Sequence, residues 1–500
     1  MRMVKSLLLG GATGLVAVAG AQAADLPMKA KAPAVQYVKI CSLYGAGFYY
    51  IPGTDTCLKI GGYIRTQLDA HSAGGGLIVG TSASTQGLRN RETTNDLNAR
   101  LRAVVTFDTR TQGEYGTLRS YYRVGWESTQ PGESLAGTAA GRAYWDRAFI
   151  QFAGFTVGKA QSFFDIYSFG GSRSYLNVRT SGDNGAAALM MWAYTAQFGN
   201  GFSASISLED PDGHNLTGVR RIAAAPPPGG STFGAPASGL SNQTATNNGF
   251  QIPDIVANLR LDQKWGFIGV SAALHQNAGS YYTANAAVPG CAAAIVTCGH
   301  PEDKWGYAFG AGVQLNVPGM PGDTTGAMFR YAKGAIGYVF GPGAGGMLLV
   351  DGDTVSFAAA HDAYFGNPVP GSPSSELNLT EAWGVNAHYE HAWTRSLKTS
   401  LFAGYVEVSF PGASKALICG TCSGGRNPDY NFWLLGSRTQ WSPWKGQLNI
   451  GVEVVYASID SSQPVTTGTR LVLAAPQTPK LIRDNDSLQI SFRVQRNWYP

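Results

Sequence analysis

Arginines at alternate positions are the side chains best placed to do chemistry in this sequence. Arg100 and Arg102 share one face of a predicted strand whose other face carries Leu101 and Ala103. Such arginines can pair with carboxylates such as Asp108 and only balance charge inside the protein. Alternatively, they face water and give the space that they line a fixed charge. The candidates are Arg65, Arg100, Arg102, Arg119 and Arg123.

Six cysteines form the second group of reactive side chains. In an exported chain they favour disulfides, and proximity in the sequence pairs them as Cys41 with Cys57, Cys291 with Cys298, and Cys419 with Cys422. The spacing of Cys419 and Cys422 also suits zinc or redox chemistry. No second CxxC is present to complete a tetrahedral zinc site, so structural bridging is the preferred interpretation.

Neither a metal site nor a catalytic site is predicted. His388 and His391 are three residues apart, and on a strand such residues point to opposite faces, so the two rings cannot hold one ion. Ordinary turn chemistry explains Asp351 and Asp353, although both could bind calcium. The sequence contains no nucleophile elbow or phosphate loop with supporting context. We therefore expect no cofactor and no enzymatic activity.

The first 23 residues have the pattern of a cleaved signal peptide. Arg2 and Lys5 precede a weakly polar apolar run, and the small-x-small sequence ending at Ala23 is a cleavage site. A membrane-anchoring helix is the alternative, but the run is shorter than the roughly 20 apolar residues that span a bilayer. The sequence therefore predicts an exported chain, with residues 24–500 as one mature unit.

Composition points to an unusual exterior. Only 14% of the residues are charged, 65 are glycine and 11% are aromatic. This composition is unusual for a soluble chain of this length. The net charge is +5, and losing Arg2 and Lys5 with the signal peptide leaves +3, too little to argue for a nucleic-acid partner. A barrel whose outer face meets lipid has this composition.

A two-residue period is the dominant pattern. It is clearest in residues 100–108, 307–316 and 487–495, where apolar residues alternate with small, polar or charged ones. About sixteen such strands are predicted, including one at 352–364, joined by short turns at one rim and long loops at the other. A soluble β-sandwich would also alternate, but its polar face would carry more Lys and Glu.

Aromatic residues cluster near the predicted strand ends and indicate two interfacial girdles, although they could also pack in a soluble core. They are Trp265, Trp305, Tyr307, Trp383, Trp441, Trp444, Tyr456, Trp498 and Tyr499. The predicted fold class is all-β, a transmembrane antiparallel β-barrel.

Residues 41–57, with Cys41 and Cys57 at their ends, and Ile60-Gly61-Gly62-Tyr63 resemble the opening of alphaproteobacterial porins. The resemblance implies a sixteen-stranded barrel that assembles as a homotrimer, with one long loop folded into each lumen. By that resemblance the loop runs from about 161 to 188 and places Asp165 and Asp183 opposite the arginines that line the inner wall. The remaining pore-constriction candidates are the five arginines above.

The function predicted from these features is a passive, water-filled channel for small hydrophilic solutes and ions in the cell outer membrane, in contact with outer-membrane lipid. An outer-membrane hydrolase and a plugged receptor or adhesin are the alternatives. The sequence leaves open the preferred solute and the choice between anions and cations, because net charge does not report the field at a constriction.

Overall fold

A computed structural model describes most of the chain beyond residue 38. The described residues are 39–71, 97–130, 142–166, 173–175, 188–211, 218–222, 243–245, 251–282, 298–339, 347–351, 354–358, 361–366, 375–419, 427–460, 470–471 and 480–498. Residues 41–500 form one unit. The predicted signal peptide, its cleavage site at Ala23, and Asp183 lie outside the described residues.

Sixteen antiparallel strands form a closed barrel, as predicted. They are β1 Thr56–His71, β2 Leu97–Gly113, β3 Gly116–Gln130, β4 Arg142–Phe152, β5 Phe155–Ala160, β6 Leu189–Gly199, β7 Phe202–Glu209, β8 Asp254–Gln263, β9 Gly266–Asn277, β10 Lys304–Asn316, β11 Thr324–Lys333, β12 Glu381–Ala392, β13 Leu397–Ser409, β14 Tyr430–Trp441, β15 Leu448–Asp460 and β16 Asn485–Asn497. Each strand pairs with the next, and β1 pairs with β16 from Tyr63 opposite Asn497 to His71 opposite Gln489.

The two faces of the wall have the inverse of a soluble protein's polarity. Along β16, the outward side chains of Leu488, Ile490 and Phe492 are exposed, whereas the inward side chains of Gln489 and Arg493 are buried. Exposed apolar rows of this kind are stable only against lipid, and the polar interior is stable only with internal partners or water. The structure is therefore a transmembrane barrel.

Strand connections differ sharply between the two rims. At one rim, which we call the short-turn rim, tight turns join the hairpins; at the other, the long-loop rim, connections such as 210–253 are long. The turn between β6 and β7 requires glycine at Gly201, which has a φ of +76° and where a Cβ would lie 1.9 Å from the carbonyl oxygen of Asp262.

Exposed aromatic side chains mark both ends of the wall. Trp265, Trp441, Trp444 and Trp498 lie at the short-turn rim, and Trp305 and Tyr456 lie toward the long-loop rim. Indole and phenol rings favour the boundary between lipid and water. The arrangement agrees with the predicted girdles.

The long loops contain further short elements. Two four-stranded sheets are built from Val219–Ile222, Gln243–Ala245, Ala363–Gly366 and Asn378–Leu379, and from Met347–Asp351, Thr354–Ala358, Arg470–Leu471 and Lys480–Ile482. The prediction of a barrel strand at 352–364 was therefore wrong, since this segment contributes to both small sheets. The α-helix Gly412–Cys419 follows β13. Among the described residues, no helix combines the length and apolar character needed to cross a bilayer.

An N-terminal loop, residues 41–55, precedes β1 at the short-turn rim. A disulfide joins Cys41 to Cys57, as predicted, and the short 3-10 helix Ser42–Tyr44 lies inside the closed loop. Cys298 is also disulfide-bonded, and its predicted partner Cys291 lies outside the described residues. The predicted bond from Cys419 to Cys422 remains a prediction, because Cys422 is outside them too.

Candidate functional site

The inner faces of β1–β4 carry a dense row of arginines, which we call the basic wall. Asp108 on β2 accepts hydrogen bonds from two of them, at 2.9 Å from Arg110 and 3.0 Å from Arg119. Both contacts involve two guanidinium nitrogens and both carboxylate oxygens, the fork geometry that arginine favours. One carboxylate thus neutralises one of two positive charges.

The same arrangement recurs further along the wall. Glu127 on β3 lies 2.6 Å from Arg100 and 2.5 Å from Arg102, because the register of β2 and β3 places Arg102 directly opposite it. Each such unit of two arginines and one carboxylate keeps a net charge of +1. The carboxylates hold the guanidinium groups in place without cancelling their field.

A third unit depends on a β-bulge between β3 and β4. The register shifts between Arg123 and Val124, and this leaves both Asp146 and Arg147 beside Arg123. Asp146 accepts from Arg123 at 2.7 Å and lies 3.4 Å from Arg147. The bulge therefore adds an arginine and a carboxylate that the regular two-residue period would have placed on opposite faces.

Arg65 on β1 differs from its neighbours because, within the described part of the chain, its contacts involve no carboxylate. Its Nε donates to the side-chain oxygen of Gln495 at 2.7 Å, and its guanidinium carbon lies 4.8 Å from the centre of the Tyr63 ring. Arg123 also lies over Tyr63, at 5.6 Å. Positive charge consequently exceeds negative charge on this wall.

All five arginines predicted from the sequence lie on the basic wall. The predicted pairing with Asp108 is present for Arg119, and the paired guanidinium groups still keep between about a fifth and a third of their side-chain surface exposed. Sequence reasoning missed Arg110, Arg147 and Glu127. Alternation alone identifies Arg110, which lies two residues after Asp108. It does not identify Arg147, because the β-bulge at Asp146 interrupts the two-residue period.

The long connection between β5 and β6 enters the barrel, as the fold prediction stated. Its residues 161–166 lie against the wall: Ser162 donates to Glu209 at 2.6 Å, and the Phe164 ring packs 4.6 Å from that of Tyr338. Asp165 forms an ion pair with Arg330 of β11 at 2.8 Å, with no exposed surface on its side chain. The direct partner of Asp165 is therefore Arg330 of β11 and not an arginine of the basic wall, and the predicted role of Asp165 in the constriction stays a prediction.

A second part of this loop, residues 173–175, contacts strands on another side of the barrel. The backbone N–H of Tyr175 donates to Glu453 of β15 at 2.5 Å, and its hydroxyl donates to Gln440 of β14 at 3.1 Å. Arg493 of β16 donates to the Tyr175 carbonyl at 2.9 Å and stacks on its ring. The two described parts of the loop are thus held by β11 at Asp165 and by β14–β16 at Tyr175.

One of the two histidines considered as metal ligands, His391, is held by a carboxylate. His391 lies 2.7 Å from Asp323, which also accepts from the hydroxyl of Tyr389 and from the backbone N–H of Ala392. Among the described residues, no group of three His, Cys, Asp or Glu side chains is arranged to hold a metal ion.

Comparisons with known proteins agree with this architecture. A sequence model of the porin subfamily matches residues 25–487. Porin Omp2b of Brucella canis is 32% identical over 273 residues, which are 53% of this chain and 64% of that porin. Porin Omp2a of Brucella ovis is 35% identical over 223 residues, 41% of this chain and 59% of that porin. The aligned part therefore spans less than two thirds of either relative.

The outer membrane channel DcaP of Acinetobacter baumannii has a similar fold. It superposes with a TM-score of 0.56 at 11% identity, over 90% of this chain and 99% of that one. At this identity the likeness concerns the fold alone. From the match over residues 25–487 and the closed sixteen-stranded barrel, we conclude that the chain belongs to the porin subfamily.

Proposed function

We propose that this protein is an outer-membrane porin, a passive channel through which small hydrophilic solutes and ions diffuse. The observation that carries the proposal is the inverted wall, with apolar side chains exposed outward and charged side chains inward around a closed barrel. A closed barrel leaves no sheet edge in hydrocarbon, so the interior is the only route for a polar solute. Membership of the porin subfamily favours this channel over an outer-membrane hydrolase or a plugged receptor.

We place the short-turn rim toward the periplasm, because bacterial barrels have short periplasmic turns and longer extracellular loops. Residues 1–23 act in this proposal as a signal peptide cleaved after Ala23, and the exposed outer rows contact outer-membrane lipid. The assembly that we propose is a homotrimer, which rests on the family resemblance. Its mass after gentle extraction, measured by light scattering, tests that part separately.

The proposed constriction lies between the basic wall and the inward loop. Fixed charges that face a narrow aqueous passage set its ion preference. Arg65, Arg100, Arg102, Arg119 and Arg123 supply the positive side, and Asp183 supplies negative charge from the loop. Asp165 contributes by holding the loop across the lumen.

Planar-bilayer recording on the purified protein tests this function. We expect stepwise insertion of stable channels with a linear current–voltage relation, and a reversal potential under a KCl gradient that reports the ion preference. Protein unfolded in urea before addition is the control. A folded protein that inserts without conducting would contradict the channel proposal and favour the receptor or the enzyme.

A further inference from the structure

A cavity of about 420 Å³ lies inside the barrel between the N-terminal loop and the basic wall. The loop contributes Tyr44 and Phe48, and the wall contributes Lys59, Tyr63, Arg110 and Tyr121, among others. Sites for small organic molecules fall between about 300 and 1,000 Å³. The cavity is thus large enough for a compact organic solute.

The loop side of this cavity is held firmly in place. The disulfide closes the loop, and the backbone N–H of Cys41 donates to the carbonyl of Phe48 at 2.9 Å. Phe48 is only 4% exposed, and the Tyr44 hydroxyl donates to Gln112 of β2 at 3.4 Å. Phe48 thus holds the loop in place, and the half-buried Tyr44 ring, fixed beside it, can stack on a solute at little entropic cost.

Cationic groups lie directly over these rings. The Arg110 guanidinium is 4.9 Å from the centre of Phe48 and 5.5 Å from that of Tyr44, and the Lys59 amine is 5.6 Å from Phe48. Asp108, the one carboxylate among the described residues that line the cavity, is shared between Arg110 and Arg119. The cavity therefore combines a surplus of positive charge with aromatic faces.

Another cavity in the lumen, of about 640 Å³, provides a contrast. It also has an arginine stacked on a ring, since Arg260 lies 3.9 Å from the centre of Phe267. There Arg260 is matched by Asp262 at 2.8 Å, and the lining also contains Arg173 and Asp165. The described lining of this second cavity therefore has as many carboxylates as cations, whereas that of the first has more cations.

We propose that the cavity beneath the N-terminal loop is a binding site for organic anions that carry a flat aromatic ring, with benzoate as the simplest example. The carboxylate of the solute pairs with Arg110 and Lys59, and its ring stacks against the half-buried ring of Tyr44. This site lies on the path of the proposed channel, so the inference rests on that function and names a preferred class of solute for it.

Blocking of the KCl current by benzoate tests the proposal, with cyclohexanecarboxylate as a solute of equal charge and similar size that lacks a π face. We expect benzoate to halve the single-channel current at a concentration about threefold lower than that at which cyclohexanecarboxylate does so. A factor of this size corresponds to one modest ring interaction. Equal half-blocking concentrations would overturn the proposal and leave the channel function intact. Titration calorimetry of both solutes into the detergent-solubilised protein reports binding even if the protein does not conduct.

Variants assign the effect to this cavity. Tyr44→Leu should abolish the preference for benzoate, whereas Phe267→Leu, which removes the matched ring in the other cavity, should preserve it. Arg110→Gln should raise both half-blocking concentrations about tenfold, because both solutes lose a charged hydrogen-bonding partner. A preference that survives Tyr44→Leu would refute the assignment.

Discussion

The ion pair between Asp165 and Arg330 should be among the most costly contacts in the lumen to break. The two side chains lie 2.8 Å apart with 0% and 1% of their surfaces exposed, and Arg330 also donates to the carbonyl of Tyr338 at 3.0 Å. Asp165→Asn leaves the guanidinium buried without its countercharge. Removing one member of a buried pair costs about 3–5 kcal/mol, so we expect a loss of stability of about 3 kcal/mol.

The pair formed by Asp262 and Arg260 is a matched control. Its atoms are also 2.8 Å apart, but the side chains are 52% and 32% exposed, so water screens the interaction. Asp262→Asn should cost less than about 1 kcal/mol. Urea unfolding in detergent micelles, followed by the loss of β-sheet circular dichroism, measures both variants against the parent protein.

Two results would refute this reasoning. One is an equal loss of stability in Asp165→Asn and Asp262→Asn, which would mean that burial does not decide the energy of the pair. The other concerns the double variant Asp165→Asn with Arg330→Gln. Removing both charges should recover part of the cost, so a double variant that is as unstable as the two single losses added together would contradict the reasoning. Increased current noise in Asp165→Asn would report the released loop directly.

Three further predictions concern charge, the disulfide and pH. Glu127→Gln should shift the reversal potential toward anions, since its unit then carries a net charge of +2. Cys41→Ser with Cys57→Ser should lower the free energy of unfolding by about 3 kcal/mol, the value for a loop of this length, as denaturant titration would measure. Hydrogen bonds lower the pKa of Asp323 to about 2, and the largest contribution comes from the backbone N–H of Ala392. The ionised carboxylate therefore adds stability that is present above about pH 4 and is lost as the pH falls toward 2. Asp323→Asn should flatten this acid limb of the stability profile.

The barrel was predictable because lipid and water impose opposite demands on neighbouring residues. That constraint places Leu488 outward and Gln489 inward, and the two-residue period records it directly. The error at 352–364 has the same origin, since a small sheet in a loop also alternates. Periodicity identifies a strand but does not tell which sheet it joins.

The site was less predictable, because it depends on register and on distant contacts. Arg102 could be assigned to an inner face from its own strand, but its partner Glu127 becomes evident only when β2 and β3 are aligned. Arg147 is hidden by the bulge. The burial of Asp165 follows from Arg330, which is 165 residues away in the sequence.

The shortness of β5 has a consequence for the surrounding bilayer. Its six residues extend about 20 Å, and a tilt of about 40° reduces that to about 15 Å along the membrane normal, against an apolar band about 25 Å tall. The paired backbone between β4 and β5 runs only from Ala148–Lys159 to Phe152–Phe155. Hydrocarbon cannot satisfy unpaired backbone groups. The membrane therefore thins beside this low part of the wall, unless another polypeptide surface or residues of this chain outside the described ranges cover it.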